Sequence, residues 1–195
     1  MKPFRLSRAL PVLFATLAAC APALAQDNQS DKLFHDCRAA WADNNIGAAD
    51  ELCYKSLTAP DFKDVPAEAR SLRIYNYAQL KRMIGNWEAA EELLLESLAL
   101  EEARAGAKPD LPLARRLAEL SIAYAAQGKW PEGIEVVQRM MPVADQFKGG
   151  ERAAVAEIFR NYVPQVAAAG RTELARQLND FSDSAPAPEP AFIQR

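Results

Sequence analysis

Gly85–Asn86–Trp87–Glu88–Ala89–Ala90 is one of four short stretches that align along the chain without gaps. Each starts with a small or turn-forming residue, continues with a polar one and ends with a small one; the others are Asn44–Asn45–Ile46–Gly47–Ala48–Ala49, Gly128–Lys129–Trp130–Pro131–Glu132–Gly133 and Gly170–Arg171–Thr172–Glu173–Leu174–Ala175. Their first residues follow one another at intervals of 41, 43 and 42 residues. A fixed period of this length, flanked by helical patterns, predicts an all-α right-handed α-solenoid (superhelix) of about four antiparallel helix pairs.

The sequence around these stretches is helical in pattern from Asp31 to about Phe181, with no run of alternating polar and apolar residues that would predict a strand. We therefore assign residues 31–182 to one helical repeat domain. The clearest predicted helices are Ser71–Ile84, Trp87–Arg104, Leu113–Gln127, Trp130–Phe147, Arg152–Ala169 and Thr172–Phe181. Pro164 falls inside one of them and is expected to kink or shorten it, because proline lacks the backbone N–H that a helix interior uses.

Small residues recur one turn inside the second helix of each pair: Ala49, Ala90, Gly133 and Ala175. We expect each to lie against the first helix of its own pair, at Cys37, Ala78, Ser121 and Val163. One such hairpin leaves an apolar face uncovered, so stacking is required to bury it.

The N-terminal segment has the pattern of an export signal, with basic residues followed by an apolar run from Ala9 to Ala19 that is too short to span a bilayer. Two processing sites are compatible with it. Ala23–Leu24–Ala25 predicts cleavage of a signal peptide 1–25, whereas Leu17–Ala18–Ala19–Cys20 resembles a lipobox, which would remove 1–19 and lipidate Cys20. Either product is predicted to be periplasmic, soluble in the first case and membrane-anchored in the second.

The C-terminal segment, residues 183–195, carries three prolines between Pro186 and Pro190. Such a segment cannot form a helix, and we expect a disordered tail.

Cys37 and Cys53 lie eight residues before and eight residues after Asn45, in the first predicted turn. In an antiparallel hairpin these two positions face each other, and an oxidising compartment would join them in a disulfide. The alternative is a pair of inert buried thiols. A redox-active pair is not favoured, because there is no CxxC motif.

Composition and motifs do not predict catalysis. The net charge is −3 and lysine and arginine do not cluster, which argues against a nucleic-acid partner. The only histidine, His35, has no partner in a recognisable nucleophile, metal or phosphate motif, so we expect neither an enzyme nor a cofactor. An acidic run on one helix is expected to be a solvated face: Glu88, Glu91, Glu92, Glu96, Glu101 and Glu102.

The repeats resemble tetratricopeptide repeats (TPRs). IGNWEAAEELLLESL at 84–98 and YAAQGKW at 124–130 carry the resemblance, with Asn76–Tyr77–Ala78 matching the N-L-A step of the family's first helix. LALEEARAGAKPDLP at 98–112 is similar to the 42-residue form found in kinesin light chains and many bacterial proteins. Two departures are Pro164 and Asn44, which replaces a turn glycine.

The resemblance implies that the first helix of each pair lines a concave groove that binds a protein or peptide. Counting from the turns, the groove residues would be Arg38, Trp41, Tyr75, Asn76, Gln79, Arg82, Arg115, Ile122, Arg160 and Asn161. Arginines from all four units would favour an anionic segment or a free carboxylate; alternatively, they only keep the surface soluble.

The expected function is that of a non-catalytic adaptor or scaffold in the cell envelope. The alternative is a structural subunit of an envelope or secretion assembly, lipid-anchored through Cys20.

Overall fold

Eight α-helices form four consecutive antiparallel pairs in the computed structural model, which describes residues 28–106 and 108–185. No strand occurs within those ranges. Unit 1 pairs α1 with α2, unit 2 pairs α3 with α4, unit 3 pairs α5 with α6, and unit 4 pairs α7 with α8. Their bounds are Gln29–Ala42 (α1), Ile46–Thr58 (α2), Ala67–Met83 (α3), Trp87–Ala105 (α4), Leu111–Ala126 (α5), Trp130–Met140 (α6), Gly149–Ala168 (α7) and Thr172–Ser184 (α8). Each unit packs on the next, so the predicted all-α solenoid is confirmed.

The four aligned stretches form four equivalent turns. Asn44, Gly85, Gly128 and Gly170 all have a positive φ, between 57° and 79°. In every turn the N–H of the following residue donates to a carbonyl near the end of the preceding helix, for example Asn86 N to Lys81 O at 2.9 Å and Lys129 N to Tyr124 O at 2.9 Å. This is a Schellman-type helix ending, which requires the left-handed backbone that glycine adopts freely and asparagine tolerates.

Three expected helix features are wrong in detail. The predicted helix Trp130–Phe147 ends at Met140 and continues as a 3-10 helix, Met141–Gln146, since Pro142 cannot donate to the α-helical ladder. The helix predicted from Arg152 begins three residues earlier, at Gly149. Pro164 does not shorten α7, which runs on to Ala168.

Gly133 packs closely against the next unit. A Cβ built at Gly133 would lie 2.0 Å from the Oη of Tyr162 on α7. Tyr162 is buried, and its hydroxyl donates to the carbonyl of Ser121 at 2.7 Å. The small residue therefore makes room for a tyrosine that joins unit 4 to unit 3.

The buried apolar residues form two clusters. The larger spans units 2 to 4 and includes Leu117, Val137 and Phe159. The smaller contains Cys37, Ala49 and Cys53 of unit 1 together with Tyr77 and Leu80 of α3. The structure joins Cys37 to Cys53 in a disulfide, with the two Cα atoms 5.2 Å apart. Unit 1 thus packs with α3 around a small core that is separate from the main cluster.

Buried serines close the end of the hairpin opposite the turn in units 1 and 2. In unit 2, the hydroxyl of Ser97 donates to the carbonyl of Ser71 at 2.9 Å, and the hydroxyl of Ser71 lies 3.2 Å from the carbonyl of Ser97. In unit 1, Ser30 and Ser56 exchange the same two bonds at 2.9 Å each. Each buried hydroxyl therefore has a partner, as a buried polar group requires.

An arginine from the following unit binds each pair of serines. Arg73 on α3 donates to the Ser30 hydroxyl at 2.7 Å, and Arg116 on α5 donates to the Ser71 hydroxyl at 3.2 Å. Glu101 accepts from Ser71 at 2.8 Å and lies 3.1 Å from Arg116. Glu101 is buried, so its expected place on a solvated face is wrong. Burial lowers the pKa of the Arg116 guanidinium, although the Glu101 carboxylate opposes this effect.

The junction between units 3 and 4 replaces this polar arrangement with apolar residues. Ala114, Met140 and Ile158 occupy the positions equivalent to Ser71, Ser97 and Arg116. All three are buried. The units are therefore alike in backbone but are joined by two different chemistries.

Candidate functional site

From unit 2 onward, the first helices of neighbouring units lie in contact with one another. Helix α5 packs against both α3 and α7, whereas no comparable packing joins α4 to α6 or α6 to α8. In a curved stack of hairpins the closer layer lies on the inner side. From unit 2 onward, the first helices therefore occupy the side where the resemblance puts the groove.

The ten expected groove residues all lie on first helices. Arg38 and Asn161 are exposed, and the others are partly buried. Three of them also contribute to the core: Trp41 packs against the small cluster of unit 1, and Tyr75 and Ile122 pack against the main cluster. The structure thus places the ten side chains on one layer of helices, without showing what that layer binds.

Contacts between units 2 and 3 already occupy part of this surface. The Gln79 amide donates to the Glu119 carboxylate at 3.0 Å and to the Tyr75 hydroxyl at 3.2 Å. Arg82 Nε lies 2.7 Å from a carboxylate oxygen of the same glutamate, without the alignment of a regular hydrogen bond. Burial raises the pKa of Tyr75 to about 12, helped by the negative charge of Glu119. Tyr75 is therefore a neutral hydroxyl at physiological pH.

The arginines of units 3 and 4 are also paired. Arg115 donates two hydrogen bonds to the Glu151 carboxylate, at 2.8 Å and 3.0 Å. Arg160 donates to the Glu157 carboxylate at 2.7 Å and to the Ser182 carbonyl at 3.0 Å. These carboxylates neutralise the positive charge that the sequence pattern suggested. The arginines of units 2 to 4 consequently do not form an open anion site.

Sequence reasoning missed two exposed apolar residues on α3. Leu72 is 49% exposed and Met83 is 53% exposed. With Asn76 and Gln79 they form a stripe at positions i, i+4, i+7 and i+11, which is one face of a helix. Counting from the turn could have identified Leu72. It lies thirteen residues before Gly85, just as the expected groove residue Arg115 lies thirteen residues before Gly128.

The features of a metal site and of a membrane-spanning helix are not found in the residues that the structure describes. Within 28–106 and 108–185, no three His, Cys, Asp or Glu side chains are arranged to hold a metal ion. In the same ranges, no helix combines the length and the apolar character needed to cross a bilayer. His35 is 84% exposed and lies 3.6 Å from the carboxylate of Asp36. The predicted signal segment with Cys20, and residues 186–195 of the predicted tail, lie outside the described residues.

Solved structures with the same architecture are TPR-like repeat proteins. The chain is similar to the nearly identical TPR-like repeats of a kinesin-light-chain-type protein of Podosopora anserina, with 20% identity and a TM-score of 0.58 over 80% of this chain and 74% of that one. A form of those repeats with one glutamine replaced by methionine aligns with a TM-score of 0.59 and 20% identity, over 87% of this chain and 77% of that one. BtubC (BKLC) of P. vanneervenii aligns with a TM-score of 0.65 and 16% identity, over 87% and 72%.

No protein-family model and no curated protein matches the sequence. The solved structures show that the protein has a TPR-like repeat fold, as the resemblance predicted, and this architecture is typical of protein–protein interaction scaffolds. More particularly, two of these similar solved structures are TPR-like repeats of the kinesin-light-chain-type protein of Podosopora anserina.

Proposed function

We propose that the protein is an exported, non-catalytic interaction module that binds a peptide segment or partner protein on its layer of first helices. The observation that carries this proposal is the stripe on α3. Leu72 and Met83 offer apolar contacts, and Asn76 between them makes no side-chain hydrogen bond to any described residue. A free amide can both donate to and accept from a peptide backbone.

Two observations support export. The first 25 residues have the composition of a signal segment, and a disulfide of the Cys37–Cys53 kind persists in an oxidising compartment. The mass of the mature N-terminus tests the route. A chain that starts at Gln26 indicates a soluble periplasmic product, whereas a lipid-modified Cys20 indicates a membrane anchor.

A matched pair of substitutions tests the binding surface. Leu72→Asp places a charge on the stripe of α3, and Tyr54→Asp places the same charge at a 58% exposed position on the second helix of unit 1. Neither residue is buried, so both variants should keep the wild-type circular dichroism and melting temperature. We expect affinity purification from the native host to lose its specific partner with Leu72→Asp and to retain it with Tyr54→Asp.

The same pair of variants tests the alternative of a structural subunit that uses its outer face. Tyr54 and Leu95 occupy equivalent positions on α2 and α4, ten residues after their turns, and Leu95 is 43% exposed. If the outer face is the docking surface, Tyr54→Asp loses the partner and Leu72→Asp keeps it. That outcome would remove the concave-surface proposal.

A further inference from the structure

An open groove of about 780 Å³ lies on the side of the second helices, between units 3 and 4. We call it the outer groove. One wall includes Met141 and Pro142, where α6 gives way to the 3-10 helix, and the other includes Leu174 and Gln177 of α8. Its volume is within the range of sites that bind ligands or short chain segments.

The outer groove offers mainly apolar contacts to a ligand. Met141 and Leu174 are partly buried against the main cluster, and Pro142 is exposed. The Arg171 guanidinium joins the two walls, because it pairs with Glu135 and donates to the side-chain oxygen of Gln138 at 2.7 Å. Its charge is thus satisfied within the chain.

The preceding junction is bridged at the place where the outer groove is open. There, an ion pair between Arg139 and Glu102 joins α6 to α4. Phe181 occupies the equivalent position on α8, eleven residues after the turn glycine, and it belongs to the main cluster. Among residues 28–106 and 108–185, no ion pair joins a residue within α8 to α6.

The end of α8 is fixed beside the 3-10 helix that forms part of the groove wall. The Arg152 guanidinium donates to the carboxylate of Asp145 in that 3-10 helix at 3.0 Å, and to the Ser184 hydroxyl at 2.9 Å. Ala185 packs against the main cluster. The chain therefore continues from Ala185 next to an element that lines the outer groove.

Residues 186–195 have the length and composition to occupy the outer groove. Three of the first five are proline, and Phe192 and Ile193 are the large apolar residues of the segment. In the polyproline conformation, at about 3.1 Å per residue, Phe192 can lie about 22 Å from Ala185. Leu174 precedes Ala185 by a distance of about 17 Å along α8, at about 1.5 Å per residue. A segment that turns back along α8 therefore reaches the groove with about 5 Å left for the reversal.

We propose that residues 186–195 bind in the outer groove of their own chain and bury Phe192 and Ile193 there. Proline-rich segments bind apolar grooves at a low entropic cost, because their conformation is already restricted before binding. A short connection to the groove also gives the segment a high effective concentration. The contact goes beyond the proposed function, since it involves second helices and covers the outer face of units 3 and 4 against other partners.

Substitutions within the segment test the contact in the full chain with its disulfide intact. Amide NMR spectra of the wild type are compared with those of Phe192→Ser/Ile193→Ser and of a matched control, Gln194→Ser/Arg195→Ser. We expect the first variant to shift the signals of residues 138–142 and 171–177, and the control to leave them in place. Amides of residues 175–177 should exchange at least roughly tenfold faster in the first variant, because the burial of one large apolar side chain is lost.

A second matched pair tests the contact from the side of the groove. Gln177→Asp adds a charge to the wall, and Asn179→Asp adds the same charge to an exposed position on α8 that does not line the groove. A synthetic peptide of residues 183–195 gives the reference signals of the free segment. With Gln177→Asp, the signals of residues 191–193 should move towards this reference, and with Asn179→Asp they should stay at the wild-type positions.

Dilution identifies the chain that supplies the segment. Light scattering should give the mass of one chain, and the wild-type spectrum should not change on tenfold dilution. A dimer that dissociates in Phe192→Ser/Ile193→Ser would show that a second copy supplies the segment and would overturn the intramolecular contact. Shifts confined to residues 186–195 in that variant, or equal effects of Gln177→Asp and Asn179→Asp, would overturn the assignment to the outer groove.

Discussion

Reducing the Cys37–Cys53 disulfide should open unit 1 and leave units 2 to 4 folded. The bond joins residues 16 apart in sequence and belongs to the small cluster that is separate from the main core. On the chain-entropy model, a loop of this length contributes about 3 kcal/mol. That free energy corresponds to a factor on the order of a hundred in the local opening equilibrium of a hairpin that, among the described residues, packs against one neighbouring unit.

Hydrogen exchange of the backbone amides measures this opening helix by helix. In wild-type protein treated with a phosphine reductant, buried amides of α1 and α2 should exchange on the order of a hundred times faster, while those around Leu117 and Phe159 in the main core should keep their rates. The reduced wild type retains both sulfur atoms, so it separates the loss of the cross-link from the loss of packing that Cys37→Ala with Cys53→Ala would add. Thiol alkylation verifies that reduction is complete. Equal acceleration in all eight helices would refute the separate core of unit 1, and unchanged exchange in α1 and α2 would refute the stabilising role of the bond.

Two further predictions concern the junctions between units. Arg116→Ile should cost about 1.5–3 kcal/mol of unfolding free energy in urea denaturation, since the buried Glu101 loses one of its two arginine partners and keeps only Arg104. Grafting the apolar junction of units 3 and 4 should restore most of this loss; the added changes are Ser71→Ala, Ser97→Met and Glu101→Ala. Gly133→Ala should destabilise by about 1–3 kcal/mol in a thermal melt, because its Cβ would overlap a buried tyrosine, whereas Gly47→Ala, with nothing within 4 Å, should be neutral or stabilising by up to about 1 kcal/mol. An unchanged melting temperature in Gly133→Ala would show that the tyrosine can move aside.

The turns were predictable from the sequence because their chemistry is local. A glycine or asparagine followed by a helical pattern is a short-range sequence signal. It recurs at all four turns, and each of these residues has a positive φ in the structure. Helix ends were less predictable where two signals compete. The apolar pattern from Trp130 to Phe147 continues through Pro142, and only the missing backbone donor changes the helix type there.

The candidate surface was predictable in position but not in charge. Counting from the turn placed the ten groove residues on the first helices, since the helical period fixes which positions share a face. It could not show that Glu119 or Glu151 on a neighbouring unit would reach the arginines, because such pairs depend on how units about 40 residues apart are offset. For the same reason, the sequence did not distinguish Glu101 from the solvated glutamates of α4. Glu101 is buried because α5 packs on α4 and places Arg116 beside it.

The two kinds of junction suggest how four similar hairpins keep a fixed order. A first helix with arginine twelve residues before its turn needs hydroxyl groups on the preceding unit, and a first helix with isoleucine there needs an apolar surface. If Ile158 met Ser71 and Ser97 in place of Ala114 and Met140, those hydroxyls would lose the guanidinium that now contacts them; if Arg116 met the apolar pair, a charge would be buried without a partner. Side chains at these positions therefore favour unit 4 after unit 3, whereas the junctions between units 1 and 2 and between units 2 and 3 share one chemistry.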